Sequence, residues 1–232
     1  MDARQARLLA AIIDQFIETA LPVGSKRLLE MGGFSLSSAT IRNEMGRLEE
    51  EGYLLQPHVS AGRIPTAKGY RLYVNEFMQP SQHEVQVRKK FESLKDQYLR
   101  RKDQERVYEA IALLSHMIPN VAFATVPHKD RVYYLGLANT LREPEFQNDP
   151  QMASGVVEVL EHRLSDVLGA LTVDHEVRVY IGDEHVLPQA QSCGIVVTEY
   201  EVRGERGQIG IMGPMRMNYT YNTIALELWG NV

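Results

Sequence analysis

Apolar residues recur at helical spacing through the first 80 positions, and turn-forming residues separate the periodic stretches. The first stretch predicts a helix from about residue 3 to residue 20. Its apolar face is formed by Leu9, Ile12, Ile13, Phe16 and Ile17. A short helix over about residues 26–31 follows, with Ser25 as its expected cap.

A third periodic stretch predicts a helix that begins where Ser37 or Ser38 can cap free main-chain N–H groups and ends at Gly52. One face is apolar and is expected to pack inward; it consists of Ile41, Met45 and Leu48. The opposite face carries small and polar residues, which allow close approach to another molecule. These residues are Ala39, Asn43 and Gly46, flanked by Thr40 and Arg47, with Arg42 at the side.

A hairpin with a basic tip is expected after this helix. Residues 53–56 are apolar and aromatic and predict a strand that leads into residues 58–63. Gly62 permits a tight reversal, and Arg63 is expected at or near the tip, where its guanidinium can reach a phosphate or enter the minor groove of DNA. Thr66 then caps a further helix with an inward face of Tyr70, Tyr73, Val74 and Phe77.

This order of elements is typical of a winged helix-turn-helix domain over residues 1–80, whose third helix can lie in the major groove. Asn43 is the candidate for base contacts, because an Asn side chain can pair with adenine through two hydrogen bonds. His58 can contact a phosphate or a base, or it can be a solvated loop histidine. The predicted DNA-binding residues are Ser38, Ala39, Thr40, Arg42, Asn43, Arg47, His58, Ser60, Gly62, Arg63, Lys68 and Arg71. Domains of this shape also serve as protein interaction modules without DNA binding.

Several segments occur in a fixed order: LPVGSKRLLE, FSLSSATIRNEMGRLEEEGYLLQPHVSAGRIPTAKGYRLYV and, far downstream, GQIGIMGPMRMNY. Together with REPEF, VYIGDE and the region of Cys193, they resemble the HrcA family of heat-inducible transcription repressors. The resemblance covers nearly all of residues 4–78 and recurs through residues 141–228. It implies a repressor of chaperone genes that binds double-stranded DNA at an inverted repeat, the CIRCE element, as a homodimer. It also implies dependence on the chaperonin GroEL to remain active.

Beyond residue 80 the pattern predicts a helical segment and then a mixture of short strands and helices. Residues 78–84 lose apolar periodicity and indicate a junction. Residues 81–118 are expected to be a helical connector or a dimerisation helix, and residues 119–232 an α+β domain. Its strand-like runs are VAFATV, RVYYLGLA, EVRVYIG, GIVVTEYE and QIGIMG. The fold class predicted for the whole chain is therefore α+β.

The resemblance implies that residues 119–232 form a minimal GAF-like domain. Family members normally carry an inserted dimerising subdomain and more sheet between the first strands of this region. Here only some dozen residues separate NVAFATVP from LANTLREPEF. The expected dimer therefore needs another surface, and the polar helix from residue 84 is the candidate at this stage.

The balance of basic and acidic side chains differs between the N-terminal module and the rest of the chain. Residues 1–80 hold nine basic and nine acidic side chains, which argues against a nonspecific basic clamp, whereas residues 111–232 hold eight and fifteen. An acidic half is repelled by DNA phosphate, so contacts are expected only from the N-terminal module.

Cys193 is the single cysteine, so no intrachain disulfide forms. With no signal peptide or apolar run of membrane-spanning length, a cytoplasmic location away from membranes is expected.

No catalytic motif stands out, and neither an enzyme activity nor a cofactor is predicted. The cluster Asp183-Glu184-His185 is best explained as a solvated turn, since adjacent residues rarely converge on one metal. Arg216 and Tyr219, in GPMRMNY, can pack within the sheet or line a surface for a ligand or a partner. The alternative function is therefore a winged-helix regulator that responds to a small molecule bound near these two residues.

Overall fold

The computed structural model describes residues 1–34, 36–78, 80–98, 106–127, 131–184, 191–202 and 204–230, and these fall into two units, Met1–Met78 and Gln79–Val232. The first unit contains α1 (Ala3–Thr19), α2 (Ser25–Glu30), α3 (Ser38–Glu50), β1 (Leu54–Leu55), β2 (Ile64–Pro65) and α4 (Ala67–Glu76). Strands β1 and β2 pair antiparallel and form a hairpin between α3 and α4.

Helix α1 shows why the apolar pattern of the first unit produces these elements. The Asp2 carboxylate accepts hydrogen bonds from the main-chain N–H groups of Arg4 and Gln5, and the Gln5 side chain accepts one from the Asp2 N–H, which forms a capping box. Its apolar face supplies Leu8, Leu9, Ile12 and Ile13, all fully buried. The helix ends where Ala20 adopts a left-handed conformation with φ of 56°.

Two local predictions for the first unit were wrong in detail. Ser25 is the first residue of α2 rather than its cap; Gly24 precedes the helix, and no side chain caps it. The strand expected over residues 53–56 is confined to Leu54–Leu55. Tyr53 instead belongs to the C-terminal cap of α3. Its N–H donates to the Leu48 carbonyl at 2.8 Å, and the preceding Gly52 adopts a left-handed conformation with φ of 77°.

The second unit is built around one antiparallel sheet. Its strands are β3 (Val121–Thr125), β4 (Val132–Leu135), β5 (Arg178–Ile181), β6 (Cys193–Val202) and β7 (Glu205–Pro214), in the spatial order β4-β3-β7-β6-β5. Its helices are α5 (Pro80–Tyr98), α6 (Arg106–Met117), α7 (Leu137–Thr140), α8 (Pro144–Asn148), α9 (Pro150–Glu158), α10 (Leu164–Ala170) and α11 (Tyr219–Gly230). A π-helical turn over Val159–Arg163 joins α9 to α10. The prediction of an α+β chain is confirmed.

Helices cover both faces of this sheet. On one face, α8, α9 and α10 pack over alternate strand residues, including Phe123, Ile195 and Met212. The intervening residues, such as Ala122 and Val196, are also buried and point to the opposite face. There α6 lies against β3, and α11 lies against β6 and β7. The sheet is therefore the middle layer of the unit.

Helix α5 belongs to this second unit and packs against α6 and α11. It begins at Pro80, so the helix includes most of the stretch expected to be a junction; proline suits a first helical turn because it lacks the N–H that would be left unbonded there. Val87 and Phe91 are buried, and the Phe91 ring meets Trp229 of α11 edge to face with centroids 6.5 Å apart. Lys90 Nζ donates to the Met117 carbonyl at 2.7 Å. Val85, by contrast, is 80% exposed.

Candidate nucleic-acid interface

Helix α3 presents one face to the interior of its unit and the opposite face to solvent. Ser37 Oγ accepts a hydrogen bond from the Thr40 N–H at 3.1 Å and caps the helix. Ile41, Met45 and Leu48 are buried, which confirms the predicted inward face. The helix is therefore fixed at its first turn and along its length.

The solvent face of α3 carries four of the predicted DNA-binding residues in exposed positions: Ala39, Arg42, Asn43 and Arg47. Gly46 lies among them, and no described atom lies within 4 Å of where its Cβ would stand. Small side chains beside an amide and two guanidinium groups leave room for a second molecule to approach the helix closely. Such a surface suits contact with base edges and phosphates.

Two predicted contact residues at the start of α3 also have internal partners. Ser38 Oγ lies 2.9 Å from Ser25 Oγ, so a hydroxyl pair joins the first turns of α2 and α3. Thr40 Oγ1 lies 2.9 Å from Ser37 Oγ. Both residues are partly exposed, and both help to hold the helix that carries Asn43.

Sequence reasoning missed Glu44, the buried carboxylate of α3. Its side chain is only 5% exposed, and Oε1 lies 2.8 Å from Arg4 Nη2 while Oε2 accepts a hydrogen bond from Gln5 Nε2 at 3.0 Å. Arg47 Nη1 is 3.6 Å from the same Oε1. Glu44 thus ties α3 to the first turn of α1. Its position three residues after Ile41 and one before Met45 was the available signal, because that spacing lies on the inward face.

The tip of the β1–β2 hairpin consists of residues 57–61, in which His58, Val59 and Ser60 are exposed. Val59 is 97% exposed. The Gln56 side-chain amide donates to the carbonyls of Val59 and Ala61, at 3.1 and 2.8 Å. This one side chain holds the loop in shape where the strands provide few main-chain bonds.

The prediction that Arg63 presents a free guanidinium at or near the hairpin tip was wrong. Arg63 immediately precedes β2, on the loop side of the paired strands, and its main chain exchanges two hydrogen bonds with Val23, each of 2.9 Å. Its side chain is 15% exposed, and Nε lies 2.8 Å from Glu49 Oε2. Glu49 Oε1 also accepts the Gln56 N–H at 3.1 Å. The guanidinium is directed to α3 because a partly buried cation needs an opposite charge nearby.

Gly62 is required for close packing rather than for a tight reversal. Its φ is not in the left-handed region, but a Cβ at this position would stand 2.4 Å from the Val23 carbonyl carbon and 2.8 Å from the Gly24 nitrogen. The absent side chain lets the end of the hairpin loop lie directly against the segment between α1 and α2. The expected reversal was therefore the wrong reason for this glycine.

Lys68 and Arg71 lie on α4. Lys68 is exposed, and its Nζ donates to the Glu51 carbonyl at 2.7 Å and lies 4.4 Å from the centre of the Tyr53 ring. It therefore contacts the last turn of α3, where a cation is favourable. Arg71 is only partly exposed.

In the second unit, Arg216 and Tyr219 do not form an open surface. Tyr219 is fully buried, and its hydroxyl donates to the Met215 carbonyl at 2.7 Å, so of the two alternatives for this residue the structure supports packing. The Arg216 side chain is 11% exposed and is held by the carboxylates of Glu143 and Glu145, the latter at 2.5 Å from Nε. Arg216 thus joins the GPMRMNY segment to REPEF.

Other candidate chemistry is limited. Burial raises the pKa of the Cys193 thiol to about 12, which keeps it protonated and unreactive. Glu184 Oε2 accepts the Ile181 N–H at 2.8 Å, and His185 of the same cluster lies outside the described residues. Among the described residues no group of three or more His, Cys, Asp or Glu side chains could hold a metal ion. Nor is any helix in those ranges long and apolar enough to cross a membrane.

The known proteins to which this chain is similar include the HrcA family of repressors. A family profile described as the HrcA protein C terminal domain matches residues 74–222. The heat-inducible transcription repressor HrcA of Lachnoclostridium phytofermentans is 28% identical over 320 aligned positions, covering 94% of this chain and 92% of the relative. That of Acetivibrio thermocellus is 57% identical over 82 residues, covering 35% of this chain and 23% of the relative.

The first alignment is longer than the 232 residues of this chain, so that relative contains segments without a counterpart here. A solved structure described as a hypothetical protein at 2.2 Å resolution covers 100% of this chain and 97% of its own with a TM-score of 0.80. Its sequence identity is 19%, so it supports the fold alone.

Proposed function

The chain belongs to the HrcA family, whose relatives are heat-inducible transcription repressors, and on this premise we propose that residues 1–78 form a winged helix-turn-helix that binds an inverted-repeat operator of the CIRCE type. The observation that supports this proposal most directly is the solvent face of α3. There Asn43 is exposed between Ala39 and Arg47, on a helix fixed by Ser37 and Glu44. In this proposal α3 enters the major groove, and the hairpin tip contacts the adjacent backbone or minor groove.

The proposed contacts fall into two groups. Asn43 and Ala39 contact base edges, the former with adenine and the latter with a thymine methyl. Phosphate contacts come from Arg42, Arg47, Lys68 and Arg71, with Ser38, Thr40, His58 and Ser60 as further hydrogen-bonding side chains. Gly62 and Arg63 act indirectly, since both hold the hairpin against the rest of the first unit.

The proposed assembly is a homodimer. An inverted-repeat operator presents two equivalent half-sites, so two copies of α3 must lie about one turn of DNA apart, or a multiple of it. In the same proposal the second unit is a GAF-like domain, and the repressor depends on the chaperonin GroEL to remain active, as the resemblance to the family implies. Its sheet with helices on both faces is compatible with a GAF-like domain.

A titration of an inverted-repeat duplex tests the proposal. Asn43→Ala is expected to weaken operator binding by ~1 to 3 kcal/mol and to relax base preference at one position of each half-site. Asn75→Ala is the matched control, because Asn75 is also an exposed helical asparagine of the first unit but lies on α4. Equal affinities and equal base preference for wild type and Asn43→Ala would exclude Asn43 as a base-contacting residue.

The same titration with GroEL present tests the chaperonin. Added chaperonin is expected to raise the fraction of protein that binds operator without changing the affinity of that fraction. An unchanged active fraction would remove the chaperonin from the proposal and leave operator binding intact. The alternative of a ligand bound near Arg216 and Tyr219 has little support, because the first is held by two carboxylates and the second is buried.

A further inference from the structure

Strand β4 lies at one edge of the sheet and leaves half of its main-chain groups directed away from the molecule. Its register with β3 pairs Ala124 with Tyr133, and Val126 N–H donates to the Arg131 carbonyl at 2.9 Å in the same register. Hydrogen-bonded pairs alternate in an antiparallel ladder. The N–H and C=O groups of Arg131, Tyr133 and Leu135 therefore face β3, and those of Val132 and Tyr134 face outward.

The opposite edge of the sheet is protected, whereas β4 is not. On β5 the Ile181 N–H is occupied by the Glu184 carboxylate, and Arg178 forms ion pairs with Asp174 and Glu176. Charged side chains of this kind prevent an edge from pairing with another strand. Residues 132–135 are Val-Tyr-Tyr-Leu, without charge or proline, and no described residue pairs with the outward groups of Val132 and Tyr134.

Aromatic surface accompanies this open edge. Tyr133 is 37% exposed and meets the Tyr108 ring of α6 edge to face, with centroids 6.1 Å apart; Tyr108 is itself 46% exposed. Both rings lie on the side of the sheet that faces α6. The unprotected strand offers main-chain hydrogen bonds to a partner, and the exposed tyrosines beside it offer apolar contact at the same place.

We propose that β4 pairs antiparallel with β4 of a second copy of this chain, about a two-fold axis at Tyr133, and that this edge is the dimer surface of the repressor. The proposal rests on the operator-binding dimer of the proposed function. Val132 then lies opposite Tyr134 of the second copy and exchanges two main-chain hydrogen bonds with it, since both residues direct these groups outward. The symmetry repeats this pair on the other side of the axis.

Side chains are closest at the axis. The two Tyr133 residues form a pair without main-chain hydrogen bonds, in which the Cα atoms are about 4.5 Å apart, and aromatic side chains in such pairs attract each other. The nearest charge, Arg131, falls opposite Leu135 of the second copy. The two arginines are then about 14 Å apart along the strands, beyond the screening length at physiological salt, so no like charges oppose each other at the axis.

Opposite charges at position 133 test this register directly. Sedimentation equilibrium is expected to show at least a tenfold higher dimer dissociation constant for Tyr133→Glu and for Tyr133→Lys, because each places like charges across the axis. An equimolar mixture of the two variants is expected to recover the dimer. Val132→Pro is a second variant: it removes an outward N–H without removing a bond to β3, and it should also favour the monomer.

Val85→Glu is the control, since Val85 is an exposed apolar residue of α5, the rival dimer surface. It is expected to leave the dissociation constant unchanged. If Tyr133→Glu dimerises like wild type, or if Val85→Glu dissociates the dimer, the β4 surface is wrong while a dimeric repressor stands. If the wild type is monomeric both free and on operator, the dimer of the proposed function fails as well.

Discussion

Glu49 of α3 and Arg63 of the hairpin form a partly buried ion pair, with Oε2 and Nε 2.8 Å apart. The other oxygen of the same carboxylate accepts the N–H of Gln56, the residue that follows the first strand of the hairpin. One side chain of the proposed DNA-contacting helix therefore holds both sides of the hairpin loop. This relationship determines how the hairpin can contribute to binding.

A double-mutant cycle on Glu49→Ala and Arg63→Ala is expected to give a coupling energy of about 1 kcal/mol in the free energy of unfolding, because both groups are partly shielded from solvent. The control cycle uses Arg27 and Glu30, an exposed pair 3.9 Å apart, for which coupling near zero is expected. Denaturant unfolding measures both. Equal coupling in the two cycles would contradict a structural role for the Glu49 pair.

The salt dependence of operator binding distinguishes direct from indirect contacts. Arg42→Ala should lower the slope of log K against log salt by about one, since it removes one of the proposed phosphate contacts. Arg63→Ala should weaken binding without changing that slope, because its guanidinium is committed to Glu49. A reduced slope for Arg63→Ala would show that Arg63 turns to the phosphate when DNA binds.

Gly62→Ala is expected to lower the free energy of unfolding by ~1 to 3 kcal/mol, because the new Cβ meets the main chain of Val23 and Gly24, which cannot move aside cheaply. Gly46→Ala serves as the comparison. Space around Gly46 is open, so that substitution should raise stability by about 0.5 to 1 kcal/mol through helix propensity. Thermal unfolding of both variants measures the difference, and a loss at both positions would refute the packing explanation.

Arg216→Met is expected to cost ~3 to 5 kcal/mol of stability, since it leaves the mostly buried carboxylates of Glu143 and Glu145 without their cation. Arg206→Met is the control, because the Arg206 side chain is 62% exposed and its nearest carboxylates are 3.9 Å away. Chemical denaturation measures the loss of stability in each of the two variants. Similar small losses would mean that the Arg216 cluster is not a structural centre of the second unit.

Cys193 gives a pH-dependent prediction. Burial raises the pKa of its thiol from 9.0 to about 12, so the folded protein keeps the proton while the unfolded chain loses it near pH 9. The resulting contribution to stability is complete below about pH 9 and is lost as pH rises toward 12. At about pH 8 a thiol reagent should react only at the rate of unfolding, and Cys193→Ser should remove this part of the alkaline destabilisation. Rapid modification of folded protein would contradict the burial.

Apolar periodicity was sufficient to predict the order of elements, because the residues that form each inward face recur at the period of the element they build. Ile41, Met45 and Leu48 are examples. Periodicity does not identify the partner of a charged side chain. Arg63 was assigned to DNA because its partner Glu49 is fourteen residues earlier in the sequence and adjacent only after the hairpin folds back onto α3.

The same limit applies in the second unit. The sequence left two roles open for Arg216, packing or ligand contact. The choice between them depended on Glu143 and Glu145, more than seventy residues away. The free edge at β4 was also beyond sequence reasoning, because the strand order β4-β3-β7-β6-β5 depends on long-range pairing that no local pattern specifies.

The Gln56 amide closes the hairpin loop through the main-chain carbonyls of Val59 and Ala61. These two hydrogen bonds do not use the side chains of His58, Val59 and Ser60, so they can form whichever side chains stand at these three positions. Substitutions there can accumulate at little cost to folding, and each changes the surface that reaches beyond the groove that α3 is proposed to enter. The tip is thus a natural position at which related repressors could diverge in operator preference, and a practical one at which to retarget this protein by design.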